Sequence, residues 1–286
     1  MKDLSAPSII YDGFNEASDF KKAGLYLVGF EYDGTACFRK GTRHGPNALR
    51  DVATGIETYS PYLDLDLSDY DFLYDLGNLD LGESKDENDR YMKGYETFDK
   101  VFDLPLDKRV ILTVGGEHSI SLGPIKKYLK EYPDLVIIHL DAHADLRDGY
   151  EQYFYSHASI IRRAYDYFGK NHELIQYGIR SGTKVEYDWM KERNTLCKSR
   201  EEFFSRVEAI AASRPVYLTL DLDFFDPSFM PGTGTPEAGG EDFHCFVKLM
   251  KVLRNKNFVG ADVVELSPEL DTSNNSSVFA TKVVRE

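Results

Sequence analysis

Six short segments of this chain are apolar at nearly every position instead of at every second one: Gly24–Gly29, Val110–Val114, Leu135–Leu140, Ile175–Ile179, Val216–Leu220 and Phe258–Val264. A strand with one wet face alternates, so continuous apolarity marks strands buried on both faces, as in a parallel sheet. Amphipathic, helix-like segments lie between several of them, among them Pro124–Tyr132, Ser159–Phe168 and Glu201–Ala212. Strand followed by helix, repeated, predicts an α/β fold with helices on both faces of the sheet. No internal repeat or Pro/Ser-rich linker divides the chain, so residues 1–286 are expected to form a single domain. A core of that size needs no disulfide staple. The three cysteines (Cys37, Cys197, Cys245) are an odd number without CxxC spacing, which fits reduced thiols in a cytoplasmic protein.

Open α/β sheets bind ligands beyond the carboxyl ends of their strands, and polar chemistry stands at those positions here. Val136–Leu140 runs directly into Asp141-Ala142-His143-Ala144-Asp145. Residues two apart in extended chain point to one side, so Asp141, His143 and Asp145 can converge, with His139 beneath them. Val216–Leu220 leads into Asp221-Leu222-Asp223, and Val110–Val114 leads into Gly115-Gly116-Glu117-His118. The paired glycines permit a tight approach of the backbone to the site. Two imidazoles and four carboxylates thus gather from three strand ends. One divalent ion does not balance that much negative charge, whereas two ions roughly 3.5–4 Å apart, bridged by Asp141 and Asp221, do. With no cysteine in the set, structural zinc is disfavoured. Mn²⁺ fits mixed carboxylate and imidazole ligation best, with Co²⁺, Fe²⁺ and Zn²⁺ as alternatives.

GGEHS, DAHAD and LDLDFFDPSFMPGTGTPEAGG, in that order, resemble the signatures of the ureohydrolases, the arginase and agmatinase family. Gly34-Thr35 through Arg50 is similar to the family's N-terminal motif and Asp262–Pro268 (DVVELSP) to its last one. The resemblance implies a three-layer α/β/α arginase-like fold around a mainly parallel sheet of about eight strands. It implies two Mn²⁺ per chain, one held by His118, Asp141, Asp145 and Asp221, the other by Asp141, His143, Asp221 and Asp223. It further implies that Glu265 pairs with a substrate guanidinium, that His157 shuttles protons, and that Asp145 passes a proton to the leaving amine, giving urea and an amine. His157 without the resemblance reads as an ordinary loop histidine. His139 is expected to stand behind the ligands, and His44, His172 and His244 at the surface. Pro231–Pro236 lacks a phosphate-loop pattern and is expected as a rigid loop beside Asp223. The acidic stretch Asp64–Asp71 lacks the EF-hand pattern and is expected to be solvated.

The net charge of −14 suits a small cationic guanidino substrate and disfavours nucleic acid and anionic membrane as partners. The first residues lack a secretion-signal pattern, and no apolar run approaches the ~18 residues of a membrane span; the expected location is the cytoplasm. The segments Ser156–Arg163 and Glu57–Tyr62 look more like agmatinases than arginases, which favours agmatine and polyamine biosynthesis. Arg147 stands where arginases place a carboxylate-binding asparagine. It either pairs with a substrate carboxylate or repels an amine, unless Asp148 or Glu151 neutralises it. The alternatives are arginine, guanidinobutyrate, aminopropylagmatine or a formimino amino acid as substrate, a metal-dependent deacetylase, or a non-catalytic relative. The resemblance also implies a homo-oligomer, a trimer or hexamer.

Overall fold

The computed structural model describes residues 3–286. Its strands are β1 (Leu4–Ser5), β2 (Asn15–Glu16), β3 (Gly24–Phe30), β4 (Tyr59–Ser60), β5 (Leu65–Asp66), β6 (Leu73–Leu79), β7 (Arg109–Gly115), β8 (Val136–Leu140), β9 (Glu173–Tyr177), β10 (Pro215–Asp221) and β11 (Asn257–Val264). The helices are α1 (Gly45–Ala53), α2 (Glu87–Val101), α3 (Leu122–Glu131), α4 (Ile160–Tyr165), α5 (Lys184–Arg193), α6 (Arg200–Ala209), α7 (Phe243–Leu253) and α8 (Asn275–Arg285). Nine strands form one sheet in the order β1-β6-β3-β7-β11-β10-β8-β9, with β2 also against β6. Every pairing in it is parallel except β1 with β6. The α/β fold with a mainly parallel sheet expected from the sequence is thus present, with nine strands where about eight were expected.

The strands are apolar throughout because both faces are covered. Val136, Ile138 and Leu140 on β8, with Val216, Leu218 and Leu220 on β10, pack into one core with α1, α6, α7 and α8. Ile137 and Tyr217 point the other way, into a second core with α2, α3, α4 and α5.

Two elements depart from the sequence expectation. The predicted strand Ile175–Ile179 is shifted to Glu173–Tyr177, because Gly178 takes φ +96 and turns the chain out of extended geometry. The strand Leu73–Leu79 was not predicted, because Asp75, Gly77 and Asn78 read as a turn. Their partner lies elsewhere: Arg50 of α1 donates through Nε and Nη2 to the two Asp75 oxygens (both 2.8 Å) and through Nη1 to Asn78 Oδ1 (2.7 Å). Arg50 and Asp75 are fully buried, so removing one partner strands the other charge in the core. Arg50→Ala is expected to cost about 3–5 kcal/mol of folding stability, read from denaturant unfolding; a loss below 1 kcal/mol would show the pair to be dispensable.

Smaller expectations also meet the structure. His44 and His244 are exposed, but His172 is half-buried, with its ring between the Gly169 N–H and the Tyr132 carbonyl. In Asp64–Asp71 the acids Asp64, Asp69 and Asp71 are exposed, while Leu65 and Leu67 pack on the core. Among the described residues, no helix is long and apolar enough to cross a membrane.

Candidate metal centre and substrate pocket

β7, β11, β10 and β8 are consecutive in the sheet, so their carboxyl ends open side by side. His118 follows β7, Glu265 follows β11, Asp221 ends β10 with Asp223 in the turn beyond it, and Asp141 follows β8. The turn after β7 needs glycine: a Cβ on Gly116 would lie 2.0 Å from the Tyr32 carbonyl oxygen. The close approach is therefore to the Phe30–Tyr32 backbone, which takes hydrogen bonds from Gly116 N (3.0 Å) and Glu117 N (2.8 Å). Asp145 (φ 52) and Glu265 (φ 71) hold left-handed backbone, a strain of roughly 1–3 kcal/mol each that clusters at functional sites.

His118 Nδ1 lies 3.0 Å from Asp141 Oδ2, 3.0 Å from Asp145 Oδ2 and 3.5 Å from Asp221 Oδ2. On the other side, His143 Nδ1 lies 2.9 Å from Asp223 Oδ2 and 3.6 Å from Asp141 Oδ1. Asp141 therefore turns one oxygen to each group, as a bridging carboxylate does. Asp221 turns Oδ2 toward His118, while its Oδ1 accepts from Asp223 N at 2.8 Å. The donor atoms fall into two sets close enough to share an ion, one including His118, Asp141 and Asp145, the other Asp141, His143 and Asp223. The six residues singled out in the sequence come together.

The electrostatics of these buried groups suit a cation. Burial opposes the charged form of His118, yet Asp141, Asp145 and Asp221 outweigh it and raise its pKa well above the usual value. Burial, then the Asp141 charge, lifts Asp145 to about 7. Burial, then Asp223 and Asp141, raises Asp221 well above the carboxylate range. Burial opposes the charged form of Asp141, yet the imidazoles of His118, His139 and His143 against its oxygens hold it well below that range. Despite three nearby carboxylates, His118 Nδ1 is buried with no hydrogen bond among the described residues. That nitrogen faces the oxygens of Asp141, Asp145 and Asp221, and such a set of oxygen and nitrogen donors suits a divalent cation.

A cavity of about 300 Å³ opens onto these residues and is also lined by Arg147, Tyr150, His157, Thr235 and Glu265. Glu265 Oε1 accepts from His118 N at 2.8 Å, and burial followed by the Glu117 charge raises its pKa well above normal. His157 sits in a turn capped by Ser156, its Nδ1 3.3 Å from both Thr35 Oγ1 and Ser156 Oγ. Burial, then the charges of His143 and His118, lowers its pKa to about 4, so its resting form is neutral. Arg147 is exposed at the rim and stacks 4.6 Å from the Tyr150 ring centre. Asp148 does not neutralise it, because Asp148 pairs with Arg163 at 2.6 Å. The Pro231–Pro236 loop does lie beside Asp223: Thr235 Oγ1 is 3.4 Å from Asp223 Oδ2, and Arg39 binds the Thr233 and Gly234 carbonyls (2.7 and 3.0 Å).

His139 stands behind the centre. Its Nε2 is 2.8 Å from Asp141 Oδ2, and its Nδ1 is 3.1 Å from Gln176 Nε2. Sequence reasoning missed Thr35, whose N–H and hydroxyl both bind the buried Glu117 carboxylate while its Oγ1 accepts from His157 N at 3.2 Å. It missed Arg180 as well, which gathers the carbonyls of Asp223 (2.6 Å) and Glu237 (2.8 Å) and so ties two site loops together. Thr35 had only its place in the N-terminal motif to mark it and Arg180 had no signal, because each acts through partners distant in the chain.

The fold and this cluster define an α/β protein with a carboxylate–imidazole centre at its sheet edge. A family model described as the arginase family matches residues 23–286. The agmatinase of Bacillus subtilis (strain 168) is 38% identical over 274 residues, covering 94% of this chain and 92% of that one. The N(1)-aminopropylagmatine ureohydrolase of Thermococcus kodakarensis is 36% identical, over 87% of this chain and 84% of its own. A crystal structure from Clostridium difficile superposes with a TM-score of 0.83 at 38% identity, over 92% of this chain and 95% of that chain. The chain belongs to the arginase family and is a hydrolase of carbon–nitrogen bonds in linear amidines.

Proposed function

We propose that the protein is an agmatinase, hydrolysing agmatine to putrescine and urea in polyamine biosynthesis with two Mn²⁺ per chain. The observation that carries this reading is the convergence of His118, Asp141, His143, Asp145 and Asp223, with Asp221 3.5 Å from His118 Nδ1 and lining one cavity with Glu265. His118, Asp141, Asp145 and Asp221 would hold one ion, and Asp141, His143, Asp221 and Asp223 the other. Bound there, two such ions would make hydroxide available near neutral pH for attack on a guanidinium carbon.

The chain's own groups do the rest. Glu265 pairs with the guanidinium fork, and the arriving cation favours its ionised form against the cost of burial. Asp145 accepts a proton from the attacking water and passes it to the departing nitrogen. His157, neutral at rest, carries protons between solvent and the leaving amine. The net charge of −14 helps attract a dication and not a polyanion such as nucleic acid. A cytoplasmic homo-oligomer, trimeric or hexameric, acting away from membranes and folded as one domain over residues 1–286, belongs to the same proposal.

Relatives named agmatinase support agmatine as the substrate. A second reading, agmatine extended at its primary amine, has its own support. An outer cavity of about 410 Å³ lined by Phe38, Arg39, His143, Thr235, Pro236 and Glu237 adjoins the site, with the Glu237 carboxylate available to an ammonium. The test is kcat/KM for urea release from agmatine, aminopropylagmatine, arginine and guanidinobutyrate with Mn²⁺ added. Agmatine or its extended form is expected to lead. A preference for either carboxylate-bearing compound would make Arg147 a carboxylate clamp and overturn the assignment.

A further inference from the structure

Beneath the metal centre, five polar side chains cross the middle of the sheet where a core normally places aliphatic ones. Thr113 on β7, Asp262 on β11, Thr219 on β10, His139 on β8 and Gln176 on β9 are register neighbours in that order. Each is wholly shielded from solvent. Burying so many polar groups is costly unless they are hydrogen-bonded; the Thr113 hydroxyl has no partner among the described residues, whereas Asp262, Thr219, His139 and Gln176 are bonded in steps that lead to His118 and Asp141. We infer that this row fixes the proton positions on His118 and His139, and thereby makes His118 Nδ1 and Asp141 competent to take a divalent cation. The inference rests on the two-ion reading above and extends it to Thr219, Asp262 and Gln176 as positioning residues.

The hydroxyl of Thr219 has one proton, which it donates to Asp262 Oδ1 at 2.7 Å. Its oxygen can then only accept from His118 Nε2, 2.9 Å away, so Nε2 carries the hydrogen and Nδ1 keeps its lone pair toward the carboxylates. Asp262 is held in the accepting role by two further donors, Ser121 Oγ (2.8 Å) and Tyr217 OH (2.7 Å). Without Asp262 the Thr219 proton is free to turn toward Nε2. That would move the imidazole hydrogen to Nδ1 and close the nitrogen that faces the centre.

The other end of the row works in the same way. Gln176 Nε2 donates to the Ala144 carbonyl (3.3 Å), and Oε1 accepts from Thr195 Oγ1 (2.8 Å), which fixes which amide atom is which. Its second N–H therefore meets His139 Nδ1 as an acceptor at 3.1 Å, leaving His139 Nε2–H to donate to Asp141 Oδ2 at 2.8 Å. A donor behind Asp141 fixes the orientation of its carboxylate, as groups behind metal ligands commonly do.

The test is the Kd for Mn²⁺, measured by titration calorimetry on the metal-freed full chain, for wild type, Thr219→Val and Thr219→Ser. Valine keeps the shape and removes the hydroxyl; it is expected to weaken binding about 10–100-fold, while serine restores wild-type affinity. A purely structural role would lower the unfolding midpoint and leave the Kd of the folded protein unchanged. If Thr219→Val does not fold, Gln176→Leu asks the same question through His139 and Asp141. Wild-type affinity in a folded Thr219→Val protein, or in Gln176→Leu where that variant replaces it, overturns the inference. A wild-type chain that takes up no Mn²⁺ overturns the two-ion reading beneath it.

Discussion

Asp141→Ala is expected to reduce urea release to background and to release both metal ions. Asp141 turns Oδ2 toward the His118 group and Oδ1 toward the His143 group, so its loss opens both donor sets. It also leaves the His139 and His143 N–H groups without their acceptor and removes one of the negative charges that a cation would balance. Asp223→Ala is the contrast: of the two imidazoles of the centre Asp223 meets His143 alone, so its loss should loosen one ion and spare the other. Metal analysis of the folded variants beside the urea assay checks both. An Asp141→Ala protein that keeps two Mn²⁺ and normal turnover would remove the bridging role.

His157→Ala is expected to lower kcat by roughly 10²–10⁴, the usual range for a lost general acid or base, with metal content unchanged. The ring lines the same cavity as Glu265, while its Nδ1 lies against Thr35 and Ser156, outside both donor sets. Its lowered pKa has a definite sign: near neutral pH the resting imidazole is uncharged and ready to accept a proton. Single-turnover kinetics and metal analysis separate the possibilities. Loss of metal in this variant would make His157 a ligand and contradict its assignment as a shuttle.

Much of this arrangement was legible because parallel strands announce themselves and the chemistry follows them directly in the chain. DAHAD and DLD each begin as an apolar run ends, so period-two geometry alone places their acids on one side. His157 was different: nothing local distinguishes it, and only the family resemblance singled it out. Residues 73–79 defeated the sequence reading because the strand's polar side chains are satisfied by Arg50, more than twenty residues earlier. The polar row under the site was invisible for a related reason. Thr113, Thr219 and Gln176 lie within or beside apolar runs, and their meaning depends on a register between strands that no single segment encodes. Arg147 is read two ways from the sequence, as a carboxylate partner or as a repeller of an amine, and its stacking on Tyr150 places it at the rim of the cavity.

The most direct test of the central claim is the metal content of the wild-type chain after loading with Mn²⁺ and exhaustive removal of free ion. Two Mn²⁺ per chain are expected, with urea release from agmatine rising as the second ion is taken up. One ion per chain would point to the mononuclear deacetylase chemistry, and none to a non-catalytic relative; either result would contradict the dinuclear account.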